Sequence, residues 1–343
     1  MLTGWTKPFK IDRLLSTEER QAALPHHRQP GVRPDPYDGL IHFNSTYADF
    51  IDRSFRLRGM ANTAFGLFGT ALLLGILFYT VIFFFPKNYR DGVIDEAFLL
   101  ISSGIMSVLI LGSVYIFWRF HFRKDLFACT HYPIRFNRKT GNVHVFRHNG
   151  PGGVLTVPWG EAFWHVGRGY QQKFLCDVRG HVLEGDMVRD TFAVGHYFDD
   201  SRMSRIQSIW EFIRRYMEEG PETVAEHPLD RLIHESTKPT LKNCFIHVYA
   251  SMGPNFIALR YFLFFLFFPS VWVLTLTRWL VLNSCKEPMW PPEVEMESRI
   301  EPGDPHRWEE PSYINEFANR PGVFERYEER MRQEERMRDR SSR

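Results

Sequence analysis

The chain has 343 residues, 44% hydrophobic and 24% charged, and its formal net charge of +2 gives nucleic acid no basic footprint to bind. Cys129, Cys176, Cys244 and Cys285 stand far apart, with no CxxC pair and no histidine at zinc-ligand spacing beside them, which argues against a disulfide framework. The averages hide strong segregation, because many phenylalanines cluster in runs such as Phe83-Phe84-Phe85 and FFLFF at 264–268, which lipid or a tightly packed interior must cover.

Residues 1–59 read as a polar, proline-rich segment. The stretch PHHRQPGVRPDPYDG has no apolar core of a signal peptide, so the segment is expected to be retained. Two apolar runs follow, MANTAFGLFGTALLLGILFYTVIFFF (60–85) and AFLLISSGIMSVLILGSVYIFW (97–118). Neither carries a formal charge, and about 20 helical residues suffice to cross a hydrocarbon core. They predict a transmembrane hairpin over 60–118. Arg53, Arg56 and Arg58 precede it, Lys87 and Arg90 lie in its loop, and Arg119, Arg123 and Lys124 follow it. This short-loop bias favours a multi-pass membrane protein with its N-terminus and following domain in the cytoplasm.

Between 125 and 220 the pattern changes to short strands. Ile134 and Phe136 alternate with polar residues, NRKTG turns the chain, and Val143 and Val145 alternate on the return, which makes a hairpin. VLTVPW, EAFWHV, KFLCDV, HVLEG and RDTFAVGHYF read as further strands. Asp199, Asp200 and Ser201 offer caps to a helix marked by Met203, Ile206, Ile209, Trp210, Ile213 and Met217, which Gly220-Pro221 stops. Residues 221–242 read as a linker and 243–285 as a third hydrophobic block. Its simplest reading is one span over about 256–282, kinked at Pro269, with Arg260 and Arg278 about 27 Å apart and reaching opposite headgroup layers. That reading puts the tail 286–343 outside; a re-entrant or interfacial pair broken at Pro269 would return it to the cytoplasm. The expected fold class is therefore an α+β membrane protein: a helical hairpin, a small β-barrel or sandwich closed by a helix, a third hydrophobic helix and a charged tail.

Searching for chemistry yields little. NGPGG (149–153) lacks the Lys-Ser/Thr of a phosphate loop and joins strand to strand. Histidines 144, 148, 165, 181 and 196 fit no zinc spacing, so no metal site is assigned. Asp199 and Asp200 suit capping better than acid–base work, Asp186 and Asp190 have no evident partner, and neither Cys129 nor Cys176 has a nucleophile signature. No catalytic, cofactor or metal residues are assigned, and the protein is not expected to be an enzyme. The basic residues Arg119, Arg123, Lys124, Arg135, Arg138, Lys139, Arg147 and His148 are candidates for lipid-headgroup contact, where each cation near an anionic leaflet gains about 1 kcal/mol. In the acidic, proline-rich tail, Trp290, Trp308, Tyr313 and Phe317 are candidates for binding a partner; folding back onto the chain's own domain is the alternative.

Two resemblances add to this. Strands closed by a C-terminal helix, with YPIRFNRKTGNVHVF followed by VPW, resemble bacterial PH-like domains over roughly 130–220. More widely, LTGWTKPFKIDR, PDPYDGLIHFNSTY, HYPIRFNRKTGNVHVFRHNGPGGVLTVPW, DTFAVGHYFDD and WPPEVEMESRIEP resemble a family of proteobacterial membrane proteins known only as a domain of unknown function (DUF6708-like). Its members tend to be encoded beside type VI secretion effectors. The resemblance implies an immunity protein of the bacterial inner membrane that binds and neutralises a cognate effector, one that acts at or in the membrane. The alternatives are a membrane-tethered adaptor without a toxin partner and a membrane-bound enzyme, which no residue constellation supports.

Overall fold

The computed structural model describes residues 9–314, apart from 94, 170–173, 225–232 and 253–263, together with 329, 332 and 336. The strands are β1 (Arg13–Leu14), β2 (Leu40–Phe43), β3 (Tyr47–Phe50), β4 (Ile134–Asn137), β5 (Asn142–Phe146), β6 (Val154–Pro158), β7 (Ala162–Arg168), β8 (Leu175–Glu184), β9 (Met187–Asp199) and β10 (Trp308–Glu309). The principal helices are α1 (Ala61–Tyr79), α2 (Glu96–Phe117), α3 (Met203–Glu218), α4 (Leu241–Ser251) and α5 (Phe264–Ser284). The chain divides into a mixed α+β unit, drawn from Met1–Arg56, His131–Lys238 and Glu287–Arg343, and a helical unit, drawn from Leu57–Thr130 and Pro239–Lys286.

The first unit holds two antiparallel sheets, ordered β1-β9-β8-β7 and β10-β2-β3-β4-β5-β6. Alternation along the strands turns Phe50, Phe136, Val143, Val145, Trp164, Val178, Phe192 and Val194 into one apolar core, which α3 completes with Ile206, Ile209, Trp210 and Ile213. The hairpin β4–β5 forms where alternation predicts it, and Gly141 supplies the left-handed backbone of its turn (φ +70). The expected strands KFLCDV and HVLEG are not separate: Leu175–Val178 and His181–Glu184 belong to the single strand β8, whose register shifts absorb the irregular pattern, and Lys173 lies outside the described residues.

The extent of this unit departs from expectation at both ends. The N-terminal segment is no mere polar lead, because β2 and β3 lie inside the six-stranded sheet and bury Phe43 and Phe50. It also covers the outer side of α3, so that the middle of that helix, Ile209–Tyr216, is buried all round. Glu211, fully enclosed, accepts from Arg214 (2.9 Å) and Arg215 (2.6 Å), while Arg215 also donates to the Val32 carbonyl (3.2 Å). The expected caps of this helix do other work: Asp200 accepts from Arg168 and Cys176, and Asp199 accepts from the Ser201 hydroxyl.

The tail likewise belongs to the sheet. Trp308 and Glu309 pair with Phe43 and His42, and the Asp304 carboxylate accepts from Ser45 N (2.8 Å) and Ser45 Oγ (2.7 Å). Immediately before the third hydrophobic block, Thr237 N donates to Glu310 (2.7 Å), and Ser236 Oγ donates to the Pro311 carbonyl (2.8 Å). Residues on the two flanks of the block thus bond to each other, and no bilayer can lie between them. This overturns the single span over about 256–282 with an outside tail: whatever the block traverses, it must return.

The helical unit contains two helices long and apolar enough to cross a membrane, Thr63–Arg90 and Glu96–Phe117. A π turn, Thr80–Phe84, lies within the first, and another, Trp118–Phe122, follows the second. Phe65, Phe68, Leu100 and Val108 are among many large side chains that face outward, an apolar surface that water would not tolerate. Gly66 lets the Phe122 ring approach, since a Cβ there would meet it at 3.0 Å. In the third block α4 packs on α5, with Val248, Phe267 and Val271 buried together with Met60. Pro269 lies within α5 and does not break it; residues 253–263, between α4 and α5, lie outside the described residues. Arg278 does not reach a headgroup layer: it is buried and donates to the Arg58 carbonyl (2.7 Å). Arg260 lies outside the described residues. Gly59 (φ +70) fits this crossing, because a Cβ would come within 2.7 Å of the Arg278 backbone.

Candidate functional site

The basic residues do not form one face. Arg119 and Arg123 are exposed beyond the second apolar helix, as lipid contact requires, and nothing is described of the Lys124 side chain. Arg135 is a correction, since its guanidinium is buried against Asp49 (2.8 Å twice) and stacked on Tyr47 and Trp290. Arg138 is half-buried and donates to the Ser45 carbonyl (3.2 Å); Arg147 pairs with Asp190 (2.6 Å), and Lys139 with Glu301. His148 is exposed but its ring accepts from Gly150 N (3.1 Å) within the turn. A strand residue next to its cross-strand acid has no charge to spare for a headgroup.

The tail aromatics are corrected similarly. Trp290 lies on Arg135 and against Phe146 (5.6 Å between ring centres), and Trp308 packs against the main core, so both serve the chain's own fold. Tyr313 is exposed, and Phe317 lies outside the described residues.

Cys176 is buried beside Asp200, and both burial and that carboxylate push its thiol up to about 12, so it is a thiol and no nucleophile at neutral pH. Among the histidines, His144 bonds Thr156 (2.9 Å), and His196 is buried with Glu235 nearby (3.9 Å). His165 and His181, in contrast, come together. Pairing of β7 with β8 sets Phe163 opposite His181 and His165 opposite Arg179, which puts both imidazoles on one face, their ring centres 4.4 Å apart.

A third group joins them from the N-terminal segment. That segment spans both edges of the four-stranded sheet: β1 pairs with β9, while Leu24 N donates to the Trp164 carbonyl (2.8 Å) and Val166 N to the Ala22 carbonyl (2.9 Å). Between them runs the turn Thr17–Gln21, capped reciprocally by Ser16 and Glu19, and this aims the Glu19 carboxylate at the histidines. His181 Nε2 lies 3.2 Å from Glu19 Oε1, and one ligand atom from each of Glu19, His165 and His181 lies within 4.8 Å of the other two. Burial, with His181 and Arg179 nearby, pushes His165 down to about 3; burial also lowers His181 against the pull of Glu19. Burial would raise Glu19, but bonds from His181, Arg13 and Ser16 hold its carboxyl well below the usual range. At neutral pH the cluster is two neutral imidazoles and one carboxylate.

Spacing rules miss this cluster because its histidines are 16 residues apart on either side of a hairpin, and its carboxylate lies 146 residues before the first of them. The usable signal is parity: each histidine occupies a position facing the same side of its strand. No curated protein and no solved structure matches the chain. A family model described as "Family of unknown function (DUF6708)" matches residues 113–302, which takes in only the end of the second apolar helix but all of β4 to β9, α3 and the third block, and includes His165 and His181 but not Glu19. Since that match takes in more than half of the chain, the protein belongs to the DUF6708 family.

Proposed function

We propose that this is an inner-membrane immunity protein that neutralises a cognate type VI secretion effector by stoichiometric binding. The observation that best supports this is the way the anchor is inserted. β3 and β4 are hydrogen-bonded neighbours, Tyr47 opposite Asn137 and Phe50 opposite Ile134, and the whole apolar hairpin is the connection between them. A folded unit threaded in this way stays at the bilayer, where a membrane-acting toxin arrives. We read strands β3–β6 and β7–β9 with the helix α3 as a PH-like binding platform, with β1, β2 and β10 added at its edges. Arg119 and Arg123 are the residues we assign to headgroup contact.

In competition against the parent, a strain lacking this gene and its adjacent effector gene is expected to be killed, and to survive once this protein alone is restored. Equal survival with and without it, while the parent demonstrably fires, would leave a tethered adaptor as the better account. The placement has its own expected result. In a chain whose four cysteines are replaced by serine, Asn88→Cys should react with an impermeant maleimide in intact cells, whereas Ser312→Cys should react only after permeabilisation. Labelling of Ser312→Cys in intact cells would show that the flanks of the third block are separated by the bilayer.

A further inference from the structure

We propose that Glu19, His165 and His181 form a binding site for a divalent transition metal of zinc's chemical class, which staples the N-terminal segment to the four-stranded sheet. The inference is independent of the immunity reading.

The donors are already oriented. His165 is 1% exposed, its Nδ1 sits 3.2 Å from the Val166 carbonyl and donates to it, and its Nε2 therefore carries a lone pair that meets no hydrogen-bond partner among the described residues. A buried polar atom left in that state is costly unless something occupies it. His181 Nδ1 is 2.8 Å from Thr191 Oγ1, the kind of outer contact that fixes a ligating imidazole. Ligands at 2.0–2.1 Å from a tetrahedral metal are about 3.4 Å apart. The His181–Glu19 separation of 3.2 Å is already close to that, and the remaining closure to His165 is within the 4.8 Å limit of the group.

The donor set also selects the ion. Arg13 grips both Glu19 oxygens (2.6 and 2.7 Å) and offsets the single carboxylate, so calcium or magnesium, which require several oxygen ligands, are poorly served. Two imidazoles suit zinc, cobalt, nickel or copper. Metal binding needs no proton release from the histidines: His181 gives up Nε2–H in favour of Nδ1–H, which then donates to Thr191 Oγ1. Glu19, with its side chain 16% exposed, is the side from which the ion enters.

The test uses the full chain in detergent, without a polyhistidine tag and stripped by a chelator. Titration with Co²⁺ should give one equivalent of tight binding with a visible absorption band that Zn²⁺ displaces. His165→Ala and Glu19→Gln should each lose the band and weaken binding by at least about 100-fold, the upper end of what loss of a mere outer-shell contact does, while His196→Ala binds as the parent does. Zn²⁺ should also slow amide exchange at Leu15, Leu24 and Val166 in the unaltered protein, a readout that stands even where a variant fails to fold. No stoichiometric Co²⁺ binding, equal binding in both ligand variants, or exchange indifferent to Zn²⁺ would each overturn the proposal.

Discussion

Asp49→Ala is expected to destabilise the α+β unit by about 3–5 kcal/mol, the cost of breaking a buried ion pair and stranding one partner. Asp49 lies on β3 with its side chain almost wholly enclosed, and each of its oxygens accepts one bond from Arg135 across the strand pair (2.8 Å each). His42 Nδ1 approaches from β2 at 3.2 Å. Arg135 in turn is pressed between Tyr47 (3.9 Å from its guanidinium carbon to the ring centre) and Trp290 (4.7 Å) and cannot swing out to water. Without Asp49 that charge stays buried and unpaired. Replacing both partners, as in Asp49→Leu/Arg135→Met, should cost far less, because an apolar pair of similar volume forfeits neither desolvation nor packing. Guanidinium unfolding of the full chain in detergent, followed by tryptophan fluorescence, measures both; a double variant as unstable as the single would refute the stranded-charge explanation.

The same pair predicts an acid response. Burial alone would raise the Asp49 carboxyl, but Arg135 and His42 outweigh it and hold the group down to about 2, against an ordinary 3.8. A carboxylate whose native pKa lies below its unfolded value contributes stability above the unfolded pKa and loses it as the pH falls toward the native one. The parent should therefore lose this contribution between about pH 4 and pH 2, and Asp49→Ala should show a correspondingly shallower acid transition over that window.

Arg135 also shows what sequence reading could and could not supply. The apolar helices were legible because length and absence of charge suffice to mark them, and the β4–β5 hairpin and α3 because their apolar periods are long enough to recognise. Beside Lys139 and Arg147, Arg135 read as part of a basic, solvated face. Its neutralising acid lies 86 residues earlier, on the far side of the apolar hairpin, and no local pattern connects LIHF or YADF to IRFN. Four-residue strands are too short for alternation to mark them, and Asp49, polar and buried on the sheet face away from the Ala48 and Phe50 core, reads as solvated. β10, two residues long, has no period at all. The histidine cluster was hidden for the same reason: strand parity was readable, but the pairing of β7 with β8 and the return of Glu19 to their edge are tertiary facts.

Trp210→Ala should be as costly as Asp49→Ala, about 3–5 kcal/mol, and for a different reason. Trp210 is fully buried on α3, stacked on Trp159 (5.4 Å, 24°) and packed against Trp164 (5.5 Å), and its indole N–H donates to the Pro25 carbonyl (2.8 Å). Truncation removes the ring that joins helix, sheet and N-terminal segment, and neighbours as rigid as two further tryptophans cannot collapse into the space. Trp210→Phe separates the contributions, because it keeps most of the ring volume and loses the bond to Pro25, and should cost about 1–2 kcal/mol. Limited proteolysis gives the structural readout: cleavage after His27 or Arg28 should accelerate in Trp210→Phe even where global unfolding shifts little, since the chain at Pro25 loses its bond to α3 and the next, Arg215 to the Val32 carbonyl, lies beyond the cleavage point. If Phe and Ala cost the same, the hydrogen bond to Pro25, and not the packing of three indoles, is what fastens the N-terminal segment to the domain.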